Sequence, residues 1–128
     1  MDADPTVSDS PPACILDAQA LAKLEQLDPG GKSGLVRRVL TTYAGSLTRL
    51  RQQIAEGLTA ADHNVIRLGA HTLKSSSASI GALELSRLCA DVESSVRDGT
   101  VNSLNEMIER LLAEIDRVEA ALVPLIRP

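Results

Sequence analysis

Residues 70–81 read Ala70-His71-Thr72-Leu73-Lys74-Ser75-Ser76-Ser77-Ala78-Ser79-Ile80-Gly81. The stretch holds one histidine, a lysine one helical turn later, and then a run of very small side chains. Set on a helix at about 100° per residue, Val65, Ile66, Gly69, Leu73, Ser76 and Ile80 gather on one side, with Leu68 and Thr72 at its edge. An apolar stripe of this kind faces a core, so His71, nearly opposite its centre, is expected in water. Asn64, Arg67, Lys74, Ser75 and Ala78 share that exposed face. The surface is a histidine with one cation a turn before it and another a turn after, on a strip with little bulk.

The segments on either side read as further helices. Residues 1–14 are rich in Asp, Pro and Ser and are expected to be a disordered tail. Asp17 is a suitable N-cap for a short first helix containing Leu21, Leu24 and Leu27, which Asp28-Pro29-Gly30-Gly31 ends. A second helix is expected to start near Ser33. In it Val36, Leu40, Tyr43, Leu47, Leu50 and Ile54 recur at intervals of four and three, a bundle seam that Gly57 would close. Thr59-Ala60-Ala61-Asp62 has capping-box spacing and would open the histidine helix, with Gly81 at its end or a bend. Leu85, Leu88, Cys89, Val92 and Val96 mark a fourth helix stopped by Gly99. Ser103-Leu104-Asn105-Glu106 opens a fifth, with Leu104, Ile108, Leu111, Ile115, Val118 and Leu122 inside and Pro124 and Pro128 ending the chain. Short connections force antiparallel neighbours. The expected fold is all-α: an antiparallel up-down four-helix bundle with a short additional N-terminal helix packed over one end. Gly69, Thr72 and Ser76 are expected to face the core and let helices approach closely.

Composition narrows the possibilities. The chain has 128 residues, one Tyr, no Phe and no Trp, so the core must be Leu, Val, Ile and Ala, which suits helices better than sheet. A net charge of −4 with both signs interspersed leaves no basic stripe for nucleic acid. No apolar run is long enough to span a membrane, and no signal peptide is evident; the expected location is cytoplasmic. Cys14 and Cys89 follow no metal-ligand or CxxC spacing and read as two reduced thiols. The initial Met, the polar tail and the end at Pro128 favour a small free-standing protein over a fragment of a larger one.

The pattern Ala70-His71-Thr72-Leu73-Lys74, followed by small residues and Ile80-Gly81, resembles the phosphoacceptor helix of histidine-containing phosphotransfer (HPt) domains. Leu85, Leu88-Cys89 and Val92-Glu93 continue the likeness, which covers residues 15–125. Ser75 departs from it, since the family often has glycine after the lysine. The resemblance implies that Tyr43 stands where the family has a phenylalanine, that His71 is the phosphoacceptor, and that Lys74 stabilises the phosphoryl group, with Arg67 a weaker candidate. It also implies a polar side chain from the fourth helix beside the phosphohistidine. Ser86, Glu93 and Arg97 share the relevant flank, and Arg97 is preferred because a glutamate would repel phosphate. Asn64, Ser75, Ala78 and, more weakly, Glu93 would form the surface on which a receiver domain docks. The partners implied are response-regulator receiver domains and an upstream hybrid histidine kinase, with Mg²⁺ on the receiver and no cofactor or metal on this chain.

The chemistry fits this pattern. A neutral imidazole nitrogen is a competent nucleophile toward phosphorus, and an exposed imidazole is largely neutral at cytoplasmic pH. Nearby cations favour the anionic product, and small residues let a partner's aspartate approach for in-line transfer. With no glycine-rich phosphate loop and no room for a nucleotide-binding domain, the chain is expected to be a phosphoryl carrier and not a kinase. The competing readings are an ordinary surface histidine in a non-transferring helical adaptor of the same fold, a dimerising bundle, and a metal site between His63 and His71. The last lacks i, i+4 spacing and a carboxylate cluster. Glu109, Glu114 and Asp116 read as a solvated helix face. The expected state is monomeric.

Overall fold

A computed structural model of the chain describes residues 15–31, 34–100 and 102–126. The expected tail over 1–14, Cys14, the helix start at Ser33 and Pro128 lie outside the described residues. Among the described residues five α-helices follow one another: α1 (Ala18–Gln26), α2 (Leu35–Ala60), α3 (His63–Ser79), α4 (Leu83–Asp98) and α5 (Leu104–Ile126). A 3-10 turn, Pro29–Gly31, links α1 to α2. No strand occurs among the described residues. The four long helices close a ring, α2 packing on α3 and α5, and α4 on α3 and α5. That is the up-down-up-down arrangement, with α1 as the extra N-terminal helix.

Each helix contributes the seam its periodicity announces. Leu40, Leu47, Ile54, Ile66, Leu73, Leu85, Val92, Ile108, Leu111, Ile115 and Leu122 are all but fully buried in one core. Each such side chain contributes on the order of 1.5–3 kcal/mol through removal from water. The bundle is tightest where α2 meets α3. A Cβ at Gly69 would lie 2.8 Å from Ile54 Cγ1, and one at Gly57 would lie 3.0 Å from Ile66 Cγ1. The two glycines therefore sit opposite isoleucines of the facing helix, and this holds the histidine helix close to its neighbour.

Several expectations are corrected. Gly57 does not close α2. It lies inside the helix as a packing position, and the chain turns at Ala61, a non-glycine residue at φ 54°. The capping box at Thr59 does not form either. Thr59 is still helical, and α3 is capped by Asp62, whose carboxylate accepts from the Val65 amide at 3.2 Å. The core-facing stripe of α3 is turned from the expected one: Ala70 and Ser77 are buried with Gly69, whereas Thr72 is exposed and Ser76 half-buried. Pro124 does not end α5, which runs through it to Ile126. The Arg37 guanidinium donates to the Ile126 carbonyl at 2.8 Å and so satisfies an acceptor that the helix end leaves free.

The α3–α4 turn also seats α1. Gly81 has φ 89°, a conformation that glycine adopts without strain. Its carbonyl accepts from the Asp17 amide at 2.8 Å. A Cβ here would lie 2.8 Å from that amide nitrogen, so the turn and the start of α1 fit together only with glycine. Asp17 caps α1 as expected, its side chain accepting from the Ala20 amide at 3.1 Å.

Candidate functional site

His71 lies on the outer face of α3, its side chain 61% exposed. The ring is nevertheless held. Its Nδ1 is 2.7 Å from Glu93 Oε2 on α4, and the other oxygen, Oε1, accepts from Lys74 Nζ at 2.7 Å. The Glu93 side chain is only 11% exposed. One buried carboxylate thus serves two donors, and both come from α3 a turn apart.

The electrostatics follow from that arrangement. The Lys74 ammonium bonded to Glu93 holds its carboxyl below the usual glutamate range; burial opposes this, and the bond from His71 adds to the lowering. Glu93 is therefore ionised at neutral pH and can only accept hydrogen bonds. The ring nitrogen facing it must be the donor, Nδ1–H. In the neutral ring the lone pair is then on Nε2, the nitrogen turned away from the carboxylate. The tautomer that exposes a nucleophilic Nε2 is imposed by a residue of the neighbouring helix.

The helices beneath the site are pinned by polar groups. Ser86 on α4 donates from its hydroxyl to the Lys74 carbonyl at 2.8 Å, tying α4 to α3 at the lysine itself. Farther in, the Tyr43 and Ser77 hydroxyls are 2.7 Å apart and buried. Burial pushes the Tyr43 phenol up to about 12, so it stays protonated and can donate. Cys89 lies one turn before Glu93 on α4; burial pushes its thiol up to about 12, and it remains an uncharged packing residue.

The residues singled out from sequence distribute unevenly around this centre. Lys74 is where helical spacing places it, one turn from His71 and half-buried. Ser75 and Ala78 are exposed on the same strip. Arg67 donates to Asn64 Oδ1 at 3.0 Å, so these two engage each other a turn before the histidine. Two others already have partners. Glu93 is not an open docking residue, being buried and bonded to His71 and Lys74. Arg97, the preferred member of that flank, bonds Ser94 at 3.1 Å and pairs with Asp98 at 3.6 Å, whereas Glu93 is the member in contact with the ring.

The orienting role of Glu93 is what sequence reasoning missed. The available signal was its position directly after Val92 on the margin of an apolar stripe, where a carboxylate needs a cationic partner. Leu68, expected at the edge of the core-facing stripe, is 47% exposed, and Leu83, which the sequence reading did not single out, is 53% exposed. Leu68 lies a turn before His71, and Leu83 lines a shallow groove with Ala78, Leu24 and Leu27. Among the described residues there is no group of three or more side chains able to hold a metal, and no helix is long and apolar enough to cross a membrane.

Comparison with known proteins gives one answer. The family model for the Hpt domain matches residues 38–121, well over half of the chain. The chemotaxis protein CheA of Borreliella burgdorferi is 43% identical over 56 residues, which are 41% of this chain. The chain spans only about 6% of that relative's length. Among solved structures, the histidine-containing phosphotransfer protein B (HptB) of Pseudomonas aeruginosa PAO1 superposes with a TM-score of 0.77 at 24% identity, over 88% of this chain and 94% of its own. The HPT domain of an Hpt sensor hybrid histidine kinase from Shewanella gives a TM-score of 0.74 at 25% identity, with the same coverage. With its four-helix ring and a histidine presented on the outer face of α3, this chain belongs to the Hpt domain family.

Proposed function

We propose that this chain is a phosphoryl carrier of a two-component phosphorelay, in which His71 Nε2 takes a phosphoryl group from a receiver-domain aspartate and passes it to another. The observation that carries this reading is the pair of 2.7 Å contacts from Glu93 to His71 Nδ1 and Lys74 Nζ. They leave Nε2 with its lone pair facing solvent and a cation one turn away.

In the forward step the Nε2 lone pair attacks phosphorus while the bond to the aspartyl oxygen breaks, and the receiver's carboxylate leaves with that electron pair. The ring becomes positively charged with its proton still on Nδ1, and Glu93 lies against that charge. Lys74 supplies an ammonium for the incoming phosphoryl oxygens. Most of the catalysis falls to the receiver and its Mg²⁺, because phosphoryl transfer depends chiefly on positioning and charge stabilisation. The small side chains of Ser75 and Ala78 let the partner approach, and Leu68 and Leu83 offer apolar contact on either side. On this reading the protein acts in the cytoplasm, beside such partners, and as a monomer. An upstream hybrid histidine kinase would supply the phosphoryl group through its receiver.

The reading is tested by phosphotransfer and binding measured together. Wild-type protein is expected to take label from a phosphorylated receiver domain and none from ATP and Mg²⁺ alone. His71→Gln should bind the receiver as wild type does and take no label. Transfer that survives in His71→Gln would show that the fold serves as an adaptor whose histidine is not the carrier.

A further inference from the structure

Glu93 contacts the ring on the side away from the reacting nitrogen, so its influence persists after the phosphoryl group has arrived. This inference rests on the carrier reading above and concerns the lifetime of the carrier state. We propose that Glu93 makes phosphorylated His71 a short-lived, readily discharged carrier by keeping the proton on Nδ1 of the phosphorylated ring.

Attack through Nε2 produces an N-phosphorylated imidazolium, with phosphorus on one nitrogen and the proton on the other. Losing that proton would leave a neutral phosphoimidazole, whose departure from phosphorus must expel an imidazolide anion, a poor leaving group. Keeping the proton lets neutral imidazole leave. Onward transfer or hydrolysis then proceeds with the acceptor oxygen bonding to phosphorus and the P–Nε2 bond breaking. Its electron pair returns to Nε2. With water as acceptor, the two water hydrogens go with the oxygen into dihydrogen phosphate, and the ring is restored as the neutral Nδ1–H tautomer.

The structure supplies what this needs. The carboxylate is ionised, only 11% exposed, and 2.7 Å from Nδ1. A buried carboxylate at that distance accepts the Nδ1 proton in a charge-assisted hydrogen bond and opposes the positive charge that phosphorylation leaves on the ring. Lys74 reinforces the arrangement before phosphorylation by occupying Oε1, which directs Oε2 to the ring. After phosphorylation, the ammonium is drawn toward the phosphoryl oxygens, leaving the carboxylate more strongly available to Nδ1–H.

Glutamine at this position would act in the opposite sense. Lys74 can only donate, so it would take the single amide oxygen. The amide NH₂ would then face Nδ1 and donate to it, favouring an unprotonated Nδ1 and a longer-lived phosphohistidine.

The test is a lifetime measured without a protein partner. His63, the second of the chain's two histidines, is exposed and outside the site, so a His63→Gln background leaves one imidazole. The full chain, with Glu, Gln or Ala at position 93, is loaded with phosphoramidate, which gives up its phosphoryl group to nitrogen with release of ammonia. Decay of the phosphohistidine is followed by ³¹P NMR at pH 7, ¹⁵N shifts report which ring nitrogen holds phosphorus and which the proton, and circular dichroism checks the fold.

Glu93→Gln and Glu93→Ala are both expected to prolong the lifetime by about threefold or more, with Nδ1 protonated only in the parent. Equal or shorter lifetimes in both variants would overturn the proposal. So would a prolonged lifetime in Glu93→Ala alone, because it would assign Glu93 a purely positional role, or a parent ring that takes no phosphoryl group at all. A protein that shows the expected lifetimes yet passes its phosphoryl group to no receiver domain would contradict the relay reading and leave this inference standing.

Discussion

Lys74 shares the Glu93 carboxylate with the histidine, and that carboxylate holds its ammonium at 2.7 Å. On the proposed carrier reading, its attraction for an incoming phosphoryl group would be partly spent before transfer begins, and the exchange of one anion for another would limit what the lysine contributes. Lys74→Ala is expected to slow acceptance from a phosphorylated receiver by about tenfold, the size of one charge-assisted hydrogen bond, with Lys74→Arg recovering part of the rate; labelling kinetics on the three proteins check this. At this scale the sequence was legible where spacing on one helix decides proximity. His71, Lys74, Ser75 and Ala78 follow from a rotation of about 100° per residue. Glu93 was not legible, because it is 22 residues from His71 on another helix and because its charge counts against it near a phosphate. Only its contact with the far nitrogen of the ring reverses that judgement, and this depends on how α4 is rotated against α3.

Between elements, the polar pairs that set rotation and spacing are the informative ones. The buried bond between Tyr43 on α2 and Ser77 on α3 fixes the rotation that carries His71 outward. Tyr43→Phe and Ser77→Ala should each destabilise the fold by about 0.5–1.5 kcal/mol, and the double variant by less than the sum, since a lost buried partner is worse than a removed pair; a double-mutant cycle in urea measures the coupling. Glu114 on α5 behaves oppositely to Glu93. It is 5% exposed with Arg117 at 3.2 Å as its ion-pair partner, and burial raises its carboxyl above the usual glutamate range, partly offset by Arg117. The folded state then holds this proton more tightly than the unfolded chain. The sign follows: this group's contribution falls as pH rises from the ordinary glutamate value, near ~4.3, through the raised folded value. Glu114→Gln is expected to be more stable than wild type at pH 7, with the advantage shrinking toward pH 4; urea midpoints at both pH values decide it. From sequence Glu114 read as a solvated surface acid, because its place on the margin of the α5 seam appears only once α4 lies against it. Helix ends were misread for a related reason. Gly57 looks like a stop but is required by the close approach of Ile66, whereas the real turn uses Ala61, which carries no such signal.

Over the whole molecule, periodicity was enough. Seams at intervals of three and four, short connections and an aromatic-poor composition lead to a ring of four antiparallel helices, and that ring is present. What periodicity leaves out is how the short helix attaches. The Gly81 carbonyl and the Asp17 amide pin α1 beside the exposed strip, so the face around His71 is built from three segments, α1, α3 and the start of α4. The central claim is that this face exists to carry a phosphoryl group on one nitrogen of one residue. The most direct measurement is the identity of the labelled residue after incubation with a receiver domain bearing a radiolabelled aspartyl phosphate, using wild type, His71→Gln and His63→Gln. The account predicts an acid-labile, base-stable label on wild type and His63→Gln and none on His71→Gln. Label retained in His71→Gln, or absent from wild type while receiver binding is measurable, would contradict it.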